Sequence, residues 1–204
     1  LAMSILTNNV EFKDRTIEAW TGGRDGKGVI HATRTGYYIY KFIDPNLDLL
    51  QNRTSVHHWV IMRYAEILLS YAEAMNEAYG PTGNVGYRLN AVRALNQVRN
   101  RVGVEMPAVP TAISKEELRE KIRNERRVEL AFEDHRFWDV RRWMIAPETL
   151  GTPLRGVEIT KISDEEFEYK PIEVEKRTFE PKMYLYPIPQ ADLNTTGWVQ
   201  NPLW

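Results

Sequence analysis

The run Glu125-Arg126-Arg127-Val128-Glu129-Leu130-Ala131-Phe132-Glu133-Asp134-His135-Arg136-Phe137-Trp138-Asp139-Val140-Arg141-Arg142-Trp143 breaks the ordinary rule for a buried helix face. Leu118, Ile122, Glu125, Glu129, Phe132 and Arg136 recur every three or four residues, so one continuous helix stacks them on a single face. That face is apolar at its start and carries two carboxylates and an arginine further along. Charge on a core face costs free energy unless it is paired and hydrogen-bonded. The helix must therefore dock on elements that supply fixed partners. Its start is set at Ser114, where Glu117 completes a Ser-x-x-Glu capping box. It either runs to about Trp143 or breaks near the Asp134-His135 step, and the break is the favoured reading.

Two further helices precede it. From about Met62 to Tyr79, the residues Ala65, Leu68, Leu69, Ala72, Met75 and Tyr79 form a stripe, and the alanines permit close helix packing. Gly80-Pro81-Thr82-Gly83 stops this helix. A second helix is expected from roughly Val85 to Val102, with Leu89, Val92, Leu95, Val98 and Val102 inward and Gly103 as its stop. The pair makes an antiparallel hairpin. The remainder is loop-rich. The aromatic run Tyr37-Tyr38-Ile39-Tyr40-Lys41-Phe42 predicts one strand or an extended segment. Gly22-Gly23-Arg24-Asp25-Gly26-Lys27-Gly28 lacks the spacing and the Ser or Thr of a phosphate-binding loop and reads as a plain loop. Pro153, Pro171, Pro181, Pro187, Pro189 and Pro202 prevent long helices in the tail, where short strands are expected at 157–162, 172–174 and 183–186.

The composition is that of a globular chain: 204 residues, 43% apolar and 27% charged, with a net charge of -1. That balance gives no reason to expect nucleic acid as a partner. There is no cysteine, which excludes disulfides, thiolate metal sites and cysteine nucleophiles. No run of apolar residues is long enough to span a bilayer. The first residues, Leu1-Ala2-Met3-Ser4-Ile5-Leu6, do not form a signal peptide. They enter in mid-pattern, so the chain reads as a piece of a longer polypeptide or a processed one.

Four motifs resemble a known family. Arg63-Tyr64-Ala65-Glu66-Ile67-Leu68-Leu69-Ser70-Tyr71-Ala72-Glu73-Ala74 is similar to the "RYAE-x-LL-x-YAEA" helix of SusD/RagB-like outer-membrane lipoproteins. Leu95-Asn96-Gln97-Val98-Arg99-Asn100-Arg101-Val102-Gly103 resembles their "LN-x-VR-x-R-x-G" helix end. The Glu125 to Trp143 run resembles "ERR-x-EL-x-FE-x-x-R-x-x-DL-x-RW". Tyr186-Pro187-Ile188-Pro189-Gln190 and Gln200-Asn201-Pro202 resemble the closing "PIP…QNP". The resemblance implies a mainly α fold of tetratricopeptide-like helix pairs, with long loops and a few short β-strands. Residues 1–204 would be a single C-terminal domain: a loop-rich segment over 1–60, a helical part over 61–146 and a Pro-rich tail over 147–204. It also implies a non-catalytic glycan-binding protein on the outer face of the outer membrane. Such a protein acts with a TonB-dependent transporter in polysaccharide uptake, and its lipid anchor would lie upstream of this chain. No cofactor is expected, although the family resemblance leaves calcium open.

The candidate site residues follow from residue type and place. Glu125 and Glu129 stand four apart, close enough on a helix for a two-carboxylate site of the glycosidase kind, so a carbohydrate-active enzyme fragment is the competing reading. Against it stands a structural ion network. Arg63 and Arg99 on the facing hairpin, or Arg126, Arg127 and Arg136, would neutralise the pair. Acid–base pairs sit in open clefts in unequal environments, and an arginine-dense helix is the opposite. Arg63, Arg99, Glu125, Glu129 and Arg136 are therefore assigned to a structural network. His57 and His58 are adjacent and diverge on a strand, while His31 and His135 are isolated, so no metal site is expected.

For glycan, flat rings are the sought feature. Trp20, Tyr37 and Trp59 in the non-helical region are the candidates, with Trp20 beside the glycine-rich loop the best exposed ring. Trp138 and Trp143 are expected to pack. Because these rings are few and dispersed, the chain alone is expected to bind glycan weakly or not at all, and its partner surface to be the transporter-facing side of the helix pairs. A protein-binding helical-repeat scaffold is the remaining alternative.

Overall fold

The computed structural model describes residues 3–48, 50–56 and 58–204. His58–Trp138 form one compact unit, and the chain before and after it forms the other. His57 lies outside the described residues, so the expectation for the His57-His58 pair is not developed further.

The helical unit is built from α1 (Tyr64–Tyr79), α2 (Ala91–Arg99) and α3 (Lys115–Glu129). Leu68, Leu69, Ala72 and Met75 of α1 are buried against Ala91, Val92, Leu95 and Val98 of α2 and Leu118 and Ile122 of α3. Each fully buried Leu here contributes roughly 1.5–3 kcal/mol of transfer free energy. Ala72, Ala91 and Ala94 are fully buried, which lets the helix backbones approach closely. The start of α1 and the end of α2 line one depression, so the two run antiparallel, as a tetratricopeptide-like pair. Two side-chain amides, that of Asn76 buried and that of Asn96 half-buried, lock the connections. Asn96 brackets Val109, donating to its carbonyl at 2.9 Å and accepting from its N–H at 2.8 Å. Asn76 donates to the carbonyl of Lys115 at 2.9 Å, at the first turn of α3.

Several boundaries differ from the sequence reading. α2 is shorter than 85–102. Val85 and Gly86 take positive φ in a turn, Asn90 caps the helix through its side chain, and Asn100 ends it. Val102, expected inward, is 95% exposed. Tyr79, expected in the buried stripe, is exposed and lies 6.0 Å from Tyr87. The capping box of Ser114 and Glu117 forms with both of its bonds. α3 then ends at Glu129, before the expected break, and an elbow over 130–134 leads into α4 (His135–Arg142). Phe132 and Asp134 adopt φ of 64° and 62° in that elbow, a region aspartate tolerates but phenylalanine seldom enters. The single face drawn from Leu118 to Arg136 is therefore divided. Phe132 falls in the elbow and is exposed, and Arg136 falls on another helix.

The second unit is made of short antiparallel pairs. β1 (Ile5–Leu6) pairs with β4 (Tyr38–Ile39), and β2 (Glu11–Phe12) with β3 (Arg15–Thr16). The aromatic run over 37–42 therefore gives a two-residue strand only. β5 (Leu154–Lys161) and β6 (Phe167–Glu175) form a hairpin longer than the strands expected there. Pro171 sits inside β6 opposite Val157. A proline fits an outer strand, where its missing N–H removes no ladder bond. Leu6, Ile17, Ala19 and Ile159 are the buried centre, ringed by Trp20, Tyr38, Val157 and Phe167.

The glycine-rich loop is a closed turn around Asp25. Arg15 donates to both its carboxylate oxygens at 2.6 and 2.7 Å, the Glu18 N–H adds a bond at 2.9 Å, and the Tyr38 hydroxyl donates to the Asp25 carbonyl at 2.7 Å. A Cβ at Gly26 would stand 2.0 Å from the carbonyl oxygen of Trp20, so only glycine fits that fold.

α5 (Ala146–Leu150) precedes the hairpin. Beyond it, 183–186 is not a strand: a 3₁₀ turn (Pro181–Tyr184) and α6 (Gln190–Thr196) carry the tail. Gln200 brackets Ile188, accepting from its N–H at 2.8 Å and donating to its carbonyl at 3.0 Å. Asn201 donates to the carbonyl of Tyr186 at 2.6 Å. Among the described residues no helix is long and apolar enough to cross a membrane.

Candidate functional site

The charged elbow of the helical unit is assembled from three segments. Arg63 stands just before α1 with extended backbone. Its guanidinium donates from Nε to Glu133 at 2.7 Å, from Nη1 to the Glu129 carboxylate at 2.6 Å, and from Nη2 to both the Glu129 carbonyl at 2.6 Å and Glu133 at 2.9 Å. One planar fork thus holds the last residue of α3 and a residue inside the elbow. Arg101, after α2, donates to the second oxygen of Glu129 at 2.8 Å and to the carbonyl of Val98 at 2.9 Å. Arg99 bonds Glu125 and caps the carbonyl of Pro107 through Nε and Nη2 at 3.0 and 2.9 Å. Arg126 is buried and donates to the Ser70 hydroxyl at 3.0 Å. Arg136 stands on α4, half-buried beyond the elbow.

Burial works against the charge on Arg63, but its hydrogen bonds to Glu133 and Glu129, with their negative charges, outweigh it and hold the guanidinium pKa above its ordinary value. Glu125, Glu129 and Glu133 therefore each sit against a fixed cation, in part through bidentate geometry. Two members escaped the sequence reading. Glu133 lies four residues beyond Glu129, but only the elbow turns it inward, and it is buried. Arg101 stands in a segment read as helix end, and its one signal is its spacing from Arg99.

The three candidate rings do not share one environment. Trp20 and Tyr37 belong to the β-rich unit and Trp59 to the helical unit. Trp20, expected to be the best exposed ring, is partly buried: it packs on Phe167 with ring centroids 5.4 Å apart, and the Lys161 ammonium lies 5.0 Å from its centroid. The loop that was to leave it open instead folds Gly23 back onto its indole. Tyr37 is exposed before β4, and Trp59 is 62% exposed. Trp138, expected to pack, is also 62% exposed. Trp143 is half-buried, with the Arg142 guanidinium 4.7 Å from its ring. Trp198 and Tyr186 are exposed in the tail, where the Trp204 indole is tied to the carbonyls of Lys182 and Leu185.

Two depressions open on α2. One of about 740 Å³ is lined by Arg88, Leu89, Arg93, Asn96, Gln97 and Asn100. The other, of about 490 Å³, has Leu68 and Val98 at its base and Tyr64, Gln97 and Arg101 on its walls. Among the described residues no three His, Asp or Glu side chains converge as a metal site.

The sequence profile of the SusD family matches residues 9–204. SusD-like protein P2 of Formosa agariphila is 34% identical over 120 residues, which cover 56% of this chain and 22% of that protein. SusD-like protein P38 of the same organism is 35% identical over 104 residues, covering 48% of this chain and 19% of that protein. A solved SusD-like protein from Bacteroides fragilis aligns with a TM-score of 0.78 at 34% identity, over 98% of this chain and 38% of that one. A SusD-like carbohydrate binding protein from the same species gives 0.70 at 31% identity, over 94% of this chain and 39% of that one. The alignments thus span about a fifth of the length of the curated relatives.

Proposed function

Because the chain belongs to the SusD family, we propose that it is a non-catalytic glycan-binding component of an outer-membrane polysaccharide uptake system that works with a TonB-dependent transporter. The observation that carries the reading is the alignment, across 94% of this chain, with a solved relative described as a carbohydrate binding protein. In this reading residues 1–204 act as one C-terminal domain, held at the cell surface by an anchor on another part of the polypeptide. The exposed faces of the helix pair outside the depressions on α2 are the surface offered to the transporter.

The elbow geometry supports a role without catalysis. A glycosidase needs one carboxyl protonated and one ionised in an accessible cleft. Glu125 and Glu129 are instead both pinned by guanidiniums, those of Arg99, Arg63 and Arg101, so their carboxylate oxygens are committed to fixed partners rather than turned to a substrate. Native gel electrophoresis in matrices containing a panel of polysaccharides, run beside a reducing-sugar assay, tests the proposal. Retardation by at least one glycan with no release of reducing ends is the expected result. Release of reducing ends that Glu129→Gln abolishes without unfolding the chain would overturn it in favour of hydrolysis.

A further inference from the structure

The helical unit pairs many of its arginines with carboxylates: Arg63 meets two, and Arg99, Arg101, Arg119 and Arg123 each meet at least one. Arg88 and Arg93 do not. Among the described residues neither guanidinium has a hydrogen-bond or ion-pair partner, and both face the depression of about 740 Å³. Gln97 and Asn100 bring amides to the same surface, since 93, 97 and 100 share one face of α2 and its end. The wall behind them is fixed, because both polar atoms of Asn96 are spent on Val109. No carboxylate lines this depression.

Gln97 is also a wall of the second depression, which has a different character. Its base is apolar, and the Tyr64 ring beside it is 70% exposed. A positively charged hollow with free amides therefore adjoins an apolar one with an open ring. Guanidinium forks match planar or tetrahedral oxyanions, and an exposed phenol ring stacks on the apolar face of a pyranose.

We propose that this α2 face binds an acidic oligosaccharide, with a carboxylate or sulfate group on Arg88 and Arg93 and a neighbouring sugar ring against Tyr64. The inference rests on the carbohydrate-binding reading and names its substrate class. The saccharide is favoured over an acidic peptide because an oxyanion subsite and a ring-stacking subsite share the Gln97 wall. A polyanionic peptide would use the guanidiniums alone.

Calorimetry of the 204-residue chain with a short oligogalacturonate, a sulfated galacto-oligosaccharide and a neutral galacto-oligosaccharide of equal length tests this. At low salt, one of the two acidic ligands is expected to bind at least ten times more tightly than the neutral one, and which of them does so identifies the oxyanion. Arg88→Ala/Arg93→Ala is expected to bring that ligand down to the neutral level without changing the melting curve, since neither side chain is tied into the fold. Tyr64→Phe retains binding, and Tyr64→Ala weakens it. Equal affinity for acidic and neutral saccharides would overturn the proposal while leaving the carbohydrate-binding reading intact. Polyglutamate competing as well as the acidic saccharide, with no dependence on Tyr64, would replace the saccharide by a protein partner. Failure of every saccharide, with no competition, would overturn the proposal and leave the carbohydrate-binding reading to parts of the polypeptide outside residues 1–204.

Discussion

Replacing Arg63 by alanine tests the charged elbow at its centre. The guanidinium makes four hydrogen bonds of 2.6–2.9 Å, spread over Glu129 and Glu133. The Glu133 side chain is 2% exposed and that of Arg63 is 27% exposed, so the pair is mostly withdrawn from water. Breaking a buried ion pair from one side costs about 3–5 kcal/mol, because the remaining charge stays desolvated. The partial exposure of Arg63 places this case at the lower end, near ~3 kcal/mol. A chain of this size loses roughly 2–4 °C of melting temperature per kcal/mol. Arg63→Ala is therefore expected to melt on the order of 10 °C below the parent in far-ultraviolet circular dichroism. Arg63→Lys keeps the charge but loses the planar fork, and should recover about half of that difference. The more exposed Arg119–Glu77 pair provides the control, and Arg119→Ala should move the melt far less. A melting temperature for Arg63→Ala within ~2 °C of the parent would refute the idea that this fork holds α1 to the elbow.

Glu129→Ala leaves Arg63 its bonds to Glu133 and the Glu129 carbonyl but takes a carboxylate from both Arg63 and Arg101. A strong fall in melting temperature is expected, and a variant of unchanged stability that has lost hydrolysis would favour the enzyme reading. Gly26→Ala drives a methyl group into the Trp20 carbonyl, so a loss of about 1–3 kcal/mol and a shifted tryptophan emission are expected. The Asp25 carboxyl is held below the ordinary aspartate range, chiefly by its hydrogen bonds from Arg15 and then, against the opposing effect of burial, by the Glu18 N–H. A carboxyl with a depressed folded pKa stabilises the fold above its unfolded pKa, and that stability is lost as pH falls through the folded value. Asp25→Asn should thus be less stable than the parent at neutral pH and converge with it below about pH 4 in acid titrations followed by fluorescence.

The apolar spacing of α1 made the helix legible, since Leu68, Leu69, Ala72 and Met75 are the residues it buries. Ser114 and Glu117 were legible because capping depends on side chains three residues apart. The elbow was not. Phe132 and Asp134 take positive φ because distant partners hold the chain there, and a window of sequence around them contains no such partner. Glu133 was hidden by the same fact, since its burial depends on the elbow rather than on helical spacing. Trp138 misled through its type: a tryptophan near a core helix reads as packing, but the change of direction at the elbow sets it outward. Arg88 and Arg93 were passed over because solvated arginines are ordinary on a helix surface. What distinguishes them is the lack of a partner, which spacing does not reveal.

The Gln200 bracket on Ile188 has a consequence for how the protein behaves in a crowd. An extended segment with a free N–H and carbonyl invites a strand from another molecule. Gln200 fills both positions with its own side-chain amide, and Asn201 takes the neighbouring carbonyl of Tyr186. The tail thus carries its own plug: between two prolines that offer no N–H, the Gln200 side chain takes both backbone groups of Ile188 that a strand partner would use. Loss of the final residues by proteolysis would free the Ile188 N–H and carbonyl and the Tyr186 carbonyl beside the exposed ring of Tyr186. The damage from such a clip would be a newly adhesive molecule rather than an unfolded one.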